Sequence, residues 1–362
     1  MKKSKHIAAI VLPSLAMLAL ILDSKTALQG ARQGLELCIQ TVIPSLFPFF
    51  VVSITLTNII SGCDIRVLRP IYRFCKMPRG SENLLIIGLL GGYPVGAKCV
   101  YDAWKFGQIT TIDAKRCLGF CCNAGPAFIF GMCGTLFSEL WIVWVLWGIH
   151  IFSALLVGNI LPKNGAYTMP ITRNKHISLP EAMAKGINAI LSVSGWVILF
   201  RVIISFGERW FLWLFPEKWH IIFECILELA NGCRALISLQ SEGMRFILCS
   251  VFLSLGGLCV GLQTMSVVRE LGTGMYFPGK ALQGAISGCI ALLFASVQYR
   301  ICSPIMPAVV TIGLLVFIII KKTVAFQKRL VYNVEKNLKG DSLCYSGRKL
   351  QNLVAIAPVE RK

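Results

Sequence analysis

The chain alternates between long apolar stretches and shorter segments that carry most of its charged residues. Several apolar stretches exceed the ~18–20 residues that an α-helix needs to cross the hydrocarbon core of a bilayer. The pattern predicts an all-α polytopic membrane protein with about eight transmembrane helices and two re-entrant hairpins. The predominantly apolar windows are 7–22, 37–60, 84–101, 117–137, 140–161, 186–206, 219–237, 246–268, 283–299 and 304–320.

The apolar window 84–101 is interrupted by the run Gly88-Leu-Leu-Gly-Gly-Tyr-Pro-Val-Gly-Ala-Lys98. Glycine and proline break helices, and a broken helix in a bilayer leaves backbone amides that only protein or a water-filled cavity satisfies. In transporters such breaks mark substrate or ion sites. Pro94 suits the first turn of a half-helix over about 95–104, whose free N–H groups favour an anion or a carbonyl. The alternative is a glycine-lined packing contact, with Lys98 reaching toward water.

The two halves of the chain show the same order of features, which predicts an internal repeat. Each half has a long span containing proline or glycine, then a short interrupted window, then a span broken by a small polar residue and two turn-forming residues. The matching parts are 34–60 and 186–206, 84–101 and 219–237, and Asn123-Ala-Gly125-Pro126 and Ser254-Leu-Gly256-Gly257.

Basic residues set the expected orientation, because Lys and Arg collect on the cytoplasmic side of membrane proteins. The loop 62–83 holds five basic residues against two acidic ones, and the linker 162–185 holds four against one. Both are cytoplasmic if 84–101 and 219–237 enter the bilayer and return, which makes the halves inverted copies with both termini inside. If both windows cross fully, the linker lies outside with its four positive charges, which is less favourable.

These features divide the chain into five parts. They are an N-terminal transmembrane helix and connector (1–33), a first transmembrane repeat (34–161), a basic cytoplasmic linker (162–185), a second transmembrane repeat (186–320) and a basic cytoplasmic tail (321–362). The apolar run that ends at Leu22 has no small-residue cleavage site after it, so an uncleaved first span is expected. A cleaved signal peptide is the alternative.

The formal net charge of +19 does not indicate a nucleic-acid partner, because the basic residues lie in loops and ends and not on one amphipathic face. The segment after Ile320 holds ten basic residues against three acidic ones, and we expect it to contact anionic lipid headgroups. The expected partners are therefore the lipid bilayer and a small polar solute. Formation of a homo-oligomer is left open.

The residues expected to contact a solute lie at the interruptions of both repeats. Asn123 and Ser254 offer hydrogen-bonding groups at mid-membrane depth, and interhelical hydrogen bonds are their alternative role. The expected solute-binding residues are Gly92, Pro94, Gly96, Lys98, Asn123, Asn231, Ser254 and Gly256.

Charged residues inside apolar windows are a second signal, since each costs ~2.5–3.5 kcal/mol at the centre of a membrane helix. Arg201 has apolar neighbours on both sides, and Glu224 and Glu228 lie four residues apart in 219–237. Residues at that spacing share a helical face. We expect Arg201 to form an ion pair with one of these two glutamates, because pairing lowers the cost of burying its charge. The pair is either structural or a site of ion coupling.

No constellation of residues supports an enzyme. The chain has no Walker loop and no His-Glu-x-x-His sequence, and its four histidines show no ligand spacing. Its fifteen cysteines include no Cys-x-x-Cys pair and have no histidine at metal spacing. We therefore expect small packing residues at these positions, with neither a metal nor a cofactor.

The run from Gly88 to Phe137 resembles the sporulation integral membrane proteins of the YlbJ type. The resembling residues are Gly92-Tyr-Pro-Val-Gly-Ala-Lys98, Gly107-Gln-Ile-Thr-Thr with Ala114, Phe120-Cys-Cys-Asn-Ala-Gly-Pro-Ala-Phe-Ile-Phe-Gly131, Leu229-Ala-Asn-Gly-Cys233 and Phe252-Leu-Ser-Leu-Gly-Gly257. The resemblance covers about residues 8–320. Gly91 stands where the family pattern has serine, and Cys122 stands where it has asparagine.

The family is grouped with the nucleoside recognition, or Gate, domain proteins, so the resemblance implies a Gate-like motif in 34–161. It also implies a role in endospore formation in the cytoplasmic membrane of a Gram-positive bacterium. The leading hypothesis is a secondary transporter or permease for a small polar or anionic solute, with a nucleoside as one option. The alternative is a non-transporting membrane scaffold or sensor needed for spore formation.

Overall fold

The computed structural model describes residues 2–61, 67, 69–77, 81–162 and 177–302, and every regular element within them is helical. Residues Met1–Ala308 form one compact unit, and the other unit, Val309–Lys362, lies outside the described residues. The expected span 304–320, the tail 321–362 and positions 163–176 of the linker also lie outside them.

The helices of the first half are α1 (Lys2–Leu22), α2 (Ser24–Leu37), α3 (Ile43–Ser61), α4 (Arg69–Phe74), α5 (Glu82–Leu90), α6 (Val95–Lys105), α7 (Thr111–Cys117), α8 (Pro126–Gly131) and α9 (Leu140–Ile160). A π-helical turn, Cys38–Val42, joins α2 to α3, and a 3₁₀ turn, Cys133–Leu136, follows α8. The second half contains α10 (Leu179–Trp210), α11 (Glu217–Leu227), α12 (Leu229–Leu236), α13 (Glu242–Leu255), α14 (Gly257–Val267) and α15 (Tyr276–Gln298).

Five helical stretches of the described residues are long and apolar enough to cross a membrane. They are Ser24–Leu56, Leu140–Ile160, Leu179–Trp210, Glu242–Val267 and Tyr276–Gln298. This confirms that the part of the chain that the structure describes is all-helical, with several membrane-spanning candidates, while the count of about eight spans stays a prediction.

Local sequence explains where several helices begin. The side chains of Thr110, Ser178 and Ser241 accept hydrogen bonds from backbone N–H groups three residues later, at 3.1, 3.4 and 3.3 Å. Hydroxyl side chains at this position satisfy N–H groups that have no partner inside the helix. Pro180 follows one of them in the first turn of α10, where its missing N–H carries no penalty.

Small residues let α2 pack closely on α10. A Cβ atom on Gly30 would lie 2.7 Å from the Ser205 Oγ atom, and one on Gly34 would lie 2.9 Å from the Ile198 Cα atom. Small residues four apart allow close helix approach in membranes, where van der Waals packing drives association. This contact joins the amino-terminal part of the chain to the second half.

The spans expected at 117–137 and 246–268 are each divided. In the first, α7 ends at Cys117, residues 118–125 are non-helical, and α8 is only six residues long. In the second, Gly256 separates α13 from α14 with a φ of +81°, in the left-handed region that favours glycine. The interruptions expected at 123–126 and 254–257 are therefore present, and the first of them extends over residues 118–125.

Two hairpins of short helices complete the fold, because α5 packs against α6 and α11 packs against α12. The four helices have between eight and eleven residues, or roughly 12–17 Å at 1.5 Å per residue. Each is about half the ~30 Å thickness of a bilayer core, so no single arm crosses it. A re-entrant position in the membrane stays a prediction.

Candidate functional site

The turn of the first hairpin is built from backbone in close contact with a second interruption. Gly92 has a φ of +72°, and a Cβ atom there would lie 3.0 Å from the Gly125 backbone nitrogen. A Cβ atom on Gly96 would lie 2.1 Å from the Cys121 carbonyl oxygen. These glycines therefore bring the turn between α5 and α6 against residues 121–125.

The turn of the second hairpin is built from one side chain. Glu228 lies between α11 and α12 in extended backbone conformation, and its carboxylate accepts hydrogen bonds from the backbone nitrogens of Ala230 (3.0 Å) and Asn231 (2.7 Å). The Asn231 Nδ2 atom also donates to it at 2.8 Å. The expectation that Glu224 and Glu228 share a helical face is wrong, because α11 ends at Leu227 and the Glu228 carboxylate caps the next helix.

A small cavity of about 60 Å³ lies between the two turns. Gly92, Tyr93 and Gly125 line it from the first half, and Glu228 and Ala230 line it from the second. Since one buried water occupies roughly 10–15 Å³ by this measure, the cavity holds a few waters. It is less than half of the ~150 Å³ that accommodates benzene in a protein core.

A buried lysine lies behind one wall of this cavity. The Lys280 side chain on α15 belongs to a residue only 2% exposed, and its Nζ atom donates to Gln283 Oε1 (2.6 Å), Asn123 Oδ1 (3.3 Å) and the Tyr93 hydroxyl (3.3 Å). No carboxylate of a described residue forms an ion pair with it. Three neutral oxygens therefore satisfy a buried ammonium group, an arrangement that is costly in an apolar interior.

Hydrogen bonds extend this network through His150 to the second interruption. The His150 Nε2 atom accepts from the Ala124 backbone nitrogen at 3.2 Å, so in the neutral ring Nδ1 carries the proton and donates to Ser254 Oγ at 3.3 Å. Gln283 Nε2 donates to Asn123 Oδ1 at 3.0 Å and to the His150 carbonyl oxygen at 3.2 Å. Ser254 thus forms the interhelical bond that sequence left open as its alternative role, and Asn123 bonds from the non-helical segment 118–125 to α15.

A larger polar cavity of about 350 Å³ lies on the other side of the second turn. Arg201 contacts Glu224 (Nη1 to Oε2, 3.3 Å), Glu208 (Nη1 to Oε1, 3.2 Å) and Gln33 (Nε to Oε1, 2.9 Å) in its wall. The expected pairing of Arg201 therefore involves Glu224 and not Glu228. Asn231 also lines this cavity while donating to Glu228, so the Glu228–Asn231 pair separates the two cavities.

The expected solute-binding residues are thus divided among several places. Gly92 lines the small cavity, Asn231 lines the large one, and Asn123 and Ser254 belong to the buried network. Lys98 is exposed and paired with Asp102. Pro94 immediately precedes α6, Gly96 contacts Cys121, and Gly256 faces the Tyr93 hydroxyl, which would lie 3.3 Å from a Cβ atom there.

Sequence reasoning missed Lys280, Gln283 and His150. The expected span began at 283, so it left out a lysine that the structure places one turn inside α15. Lys280 and Gln283 are three residues apart and so share a helical face. Two polar residues on one face of an otherwise apolar segment were the sequence pattern that could have indicated this buried network.

Comparison with known proteins finds a relative, the sporulation integral membrane protein YlbJ of Bacillus subtilis (strain 168). It is 24% identical over 320 residues, which cover 74% of this chain and 78% of that protein. This supports the YlbJ-type assignment at the level of family. No family model matches the chain, and no solved structure matches it. The relative and the five apolar stretches together indicate a multi-pass membrane protein.

Proposed function

We propose that this chain, a sporulation integral membrane protein assigned to the YlbJ type at the level of family, is a secondary transporter or permease. Its solute is small and polar or anionic, and a nucleoside-like compound is one option. The observation that carries the proposal is the cavity between the two hairpin turns, with Gly92 and Tyr93 on one side and Glu228 on the other. Interrupted helices that meet at a cavity are typical of transporter binding sites.

The charges around this cavity support a role in handling a solute. Glu228 is 4% exposed and has no cationic partner among the described residues, and Lys280 is equally buried behind Tyr93. Buried charges inside a membrane protein are costly and mark substrate or ion pathways. We assign Glu228 to a coupling ion or to a donor group of the solute, and the Lys280 network to the attraction of negative charge.

We propose that the described conformation is one that does not admit the solute, because the cavity between the turns is small. A volume of about 60 Å³ is far below the ~300–1,000 Å³ of ordinary small-molecule pockets. Solute entry therefore requires one hairpin to move away from the other. We propose that both hairpins are re-entrant, one from each side of the membrane, in inverted repeats with cytoplasmic termini. The basic linker and tail support this orientation.

Thermal unfolding of the detergent-purified protein against nucleosides, small carboxylates and amino acids tests the proposal. A ligand that binds only the native state raises the unfolding temperature with increasing ratio of its concentration to its Kd. We expect one class to stabilise the unaltered protein and to lose its effect in Tyr93→Phe and Glu228→Gln. Lys98→Ala is the matched control, because this exposed side chain lies outside both cavities.

The same experiment separates a transporter from a scaffold. A stabilising compound whose effect survives in both Tyr93→Phe and Glu228→Gln binds elsewhere and contradicts the site. If no compound stabilises the protein, the result favours the scaffold hypothesis over the transporter hypothesis. Truncation after Lys339 then becomes the decisive variant, since a scaffold that works through its basic tail loses sporulation activity while a permease keeps it.

A further inference from the structure

Three buried cysteines from distant parts of the sequence converge in the apolar core. Cys133 opens the 3₁₀ turn after α8, Cys233 lies in α12 and Cys249 lies in α13. Their sulfur atoms all lie within 4.8 Å of one another, and the Cys133 and Cys233 sulfurs are 3.8 Å apart. All three residues are at most 2% exposed. We call them the three-cysteine cluster.

The spacing within the cluster suits a shared metal ion. Metal–sulfur bonds of ~2.3 Å place the sulfurs of a triangular or tetrahedral site roughly 3.8–4.0 Å apart. The 3.8 Å separation of Cys133 and Cys233 already has this value, whereas a disulfide requires ~2.05 Å. A metal ion therefore fits with small adjustments of side chains, while a disulfide requires the two elements to approach.

The ligand set favours a soft monovalent ion. Thiolates select Cu(I), zinc and iron–sulfur clusters. Structural zinc is almost always four-coordinate, and among the described residues the cluster includes no fourth cysteine, histidine or carboxylate ligand. A set of three sulfurs in an apolar environment matches Cu(I), which accepts low coordination numbers.

A basic residue contacts the turn that supplies one of the three cysteines. Arg245 lies one turn before Cys249 on α13 and donates from Nη1 to the Leu136 carbonyl oxygen at 2.8 Å, in the turn that Cys133 opens. Its Nε atom is buried and has no hydrogen-bond partner among the described residues. Helical side chains lean toward the amino terminus, which directs Cys249 toward the turn that holds Arg245.

We propose that the three-cysteine cluster binds one Cu(I) ion. Two of the three thiols lose their protons to solvent on binding, and the third sulfur completes the site. One Cu(I) and two thiolates then leave the site with a single negative charge. The ion ties the turn after α8 in the first half to α12 and α13 in the second.

Titration of the reduced, detergent-purified protein with Cu(I) in competition with a Cu(I) chelator tests this site. We expect one tightly held ion per chain, and an affinity lower by at least ~10-fold in Cys249→Ala, since even outer-shell changes at metal sites cost that much. Cys259→Ala is the matched control, because Cys259 is equally buried on α14 but lies outside the cluster. The control should bind Cu(I) like the unaltered protein.

Cys133→Ala and Cys233→Ala extend the test to the other two elements, and the unfolding temperature without metal shows which variants fold. Cu(I) should raise the unfolding temperature of the unaltered protein and of Cys259→Ala. The proposal is overturned by equal Cu(I) affinity in a folded cluster variant and the unaltered protein, or by the absence of a tight ion. Tighter binding of zinc than of Cu(I) also overturns it. None of these outcomes depends on transport.

Discussion

The two hairpins have the same shape but reverse the chain by different means. Between α5 and α6 the turn depends on glycine, since Gly92 has a positive φ and its neighbours touch other backbone directly. Between α11 and α12 the turn depends on Glu228, whose carboxylate replaces the missing hydrogen-bond partners of α12. The first turn therefore requires residues without a side chain, whereas the second requires the side chain of Glu228.

The two hairpins therefore differ in composition: close backbone packing dominates the first, and buried charged side chains dominate the second. The Lys98–Asp102 pair of the first hairpin is exposed, whereas the second hairpin has the buried carboxylate of Glu228 and the neighbouring cluster of Arg201, Glu224 and Glu208. We infer that the first hairpin supplies a fixed wall of the small cavity. The second places a buried carboxylate, Glu228, in the opposite wall of the same cavity.

The largest effect is expected from Gly88→Ala in α5. A Cβ atom at this position would lie 1.8 Å from the Cys121 carbonyl oxygen, so backbone must move to admit it. Overpacking typically costs 1–3 kcal/mol, and we expect a value near the upper limit, about 3 kcal/mol. Thermal or denaturant unfolding in detergent measures it.

Gly148→Ala is the control for that substitution. Gly148 is helical, and a Cβ atom there would have no neighbouring atom within 4 Å outside its own helix backbone, so alanine should leave stability unchanged or raise it slightly. Equal effects of the two substitutions would show that the first turn does not depend on close backbone contact.

The next largest effect is expected from Glu228→Ala. It leaves the Ala230 and Asn231 N–H groups without their acceptor in a buried position, while release of a buried carboxylate offsets part of the cost. We expect a loss of about 2 kcal/mol, near the upper end for helix caps. Glu228→Gln retains an acceptor and should cost less. If the two variants unfold alike, the cap does not stabilise the second turn.

A smaller effect is expected from Arg201→Gln. The substitution leaves Glu224 and Glu208 facing each other without their cation, in a wall that also borders a polar cavity. We expect a loss of about 1.5 kcal/mol, the lower end for hydrogen bonds to charged groups. The double variant Arg201→Gln with Glu224→Gln should recover part of it. A double variant less stable than the single one would contradict electrostatic pairing.

The smallest effect is expected from Lys98→Ala. The Lys98–Asp102 pair is exposed on α6, and exposed pairs four residues apart contribute ~0.3–0.5 kcal/mol. The free energy of unfolding should change little on this substitution, both at low and at high salt concentration. A loss as large as that of Arg201→Gln would place Lys98 in a buried contact and remove the distinction between the hairpins.

Sequence patterns predicted the helical class and the interruptions because both follow from local chemistry. Gly92 has a positive φ, Gly125 and Pro126 begin α8, and the glycine pair at 256–257 ends α13. The Glu228 turn was not predicted, because nothing in the spacing of Glu224 and Glu228 shows that α11 stops between them. Side-chain capping depends on a backbone break that hydrophobic periodicity does not reveal.

The polar network and the three-cysteine cluster were missed for a different reason. Asn123 and Gln283 are 160 residues apart, and Cys133 and Cys233 are 100 apart. Packing of α15 on α9 and α13 accompanies the polar network, and packing of α12 on the 3₁₀ turn brings the two cysteines together. Contacts of this range depend on tertiary structure, whereas Arg201 and Glu224, 23 residues apart, were within reach of inference from charge alone.

The closed cavity has a kinetic consequence. If the chain carries a solute as proposed, a cavity of about 60 Å³ is too small for that solute to diffuse through as it would through an open pore. On that proposal, each solute molecule would wait for a hairpin to separate and return. Flux would therefore saturate at high solute concentration and rise steeply with temperature, and the membrane would stay tight to ions between turnovers.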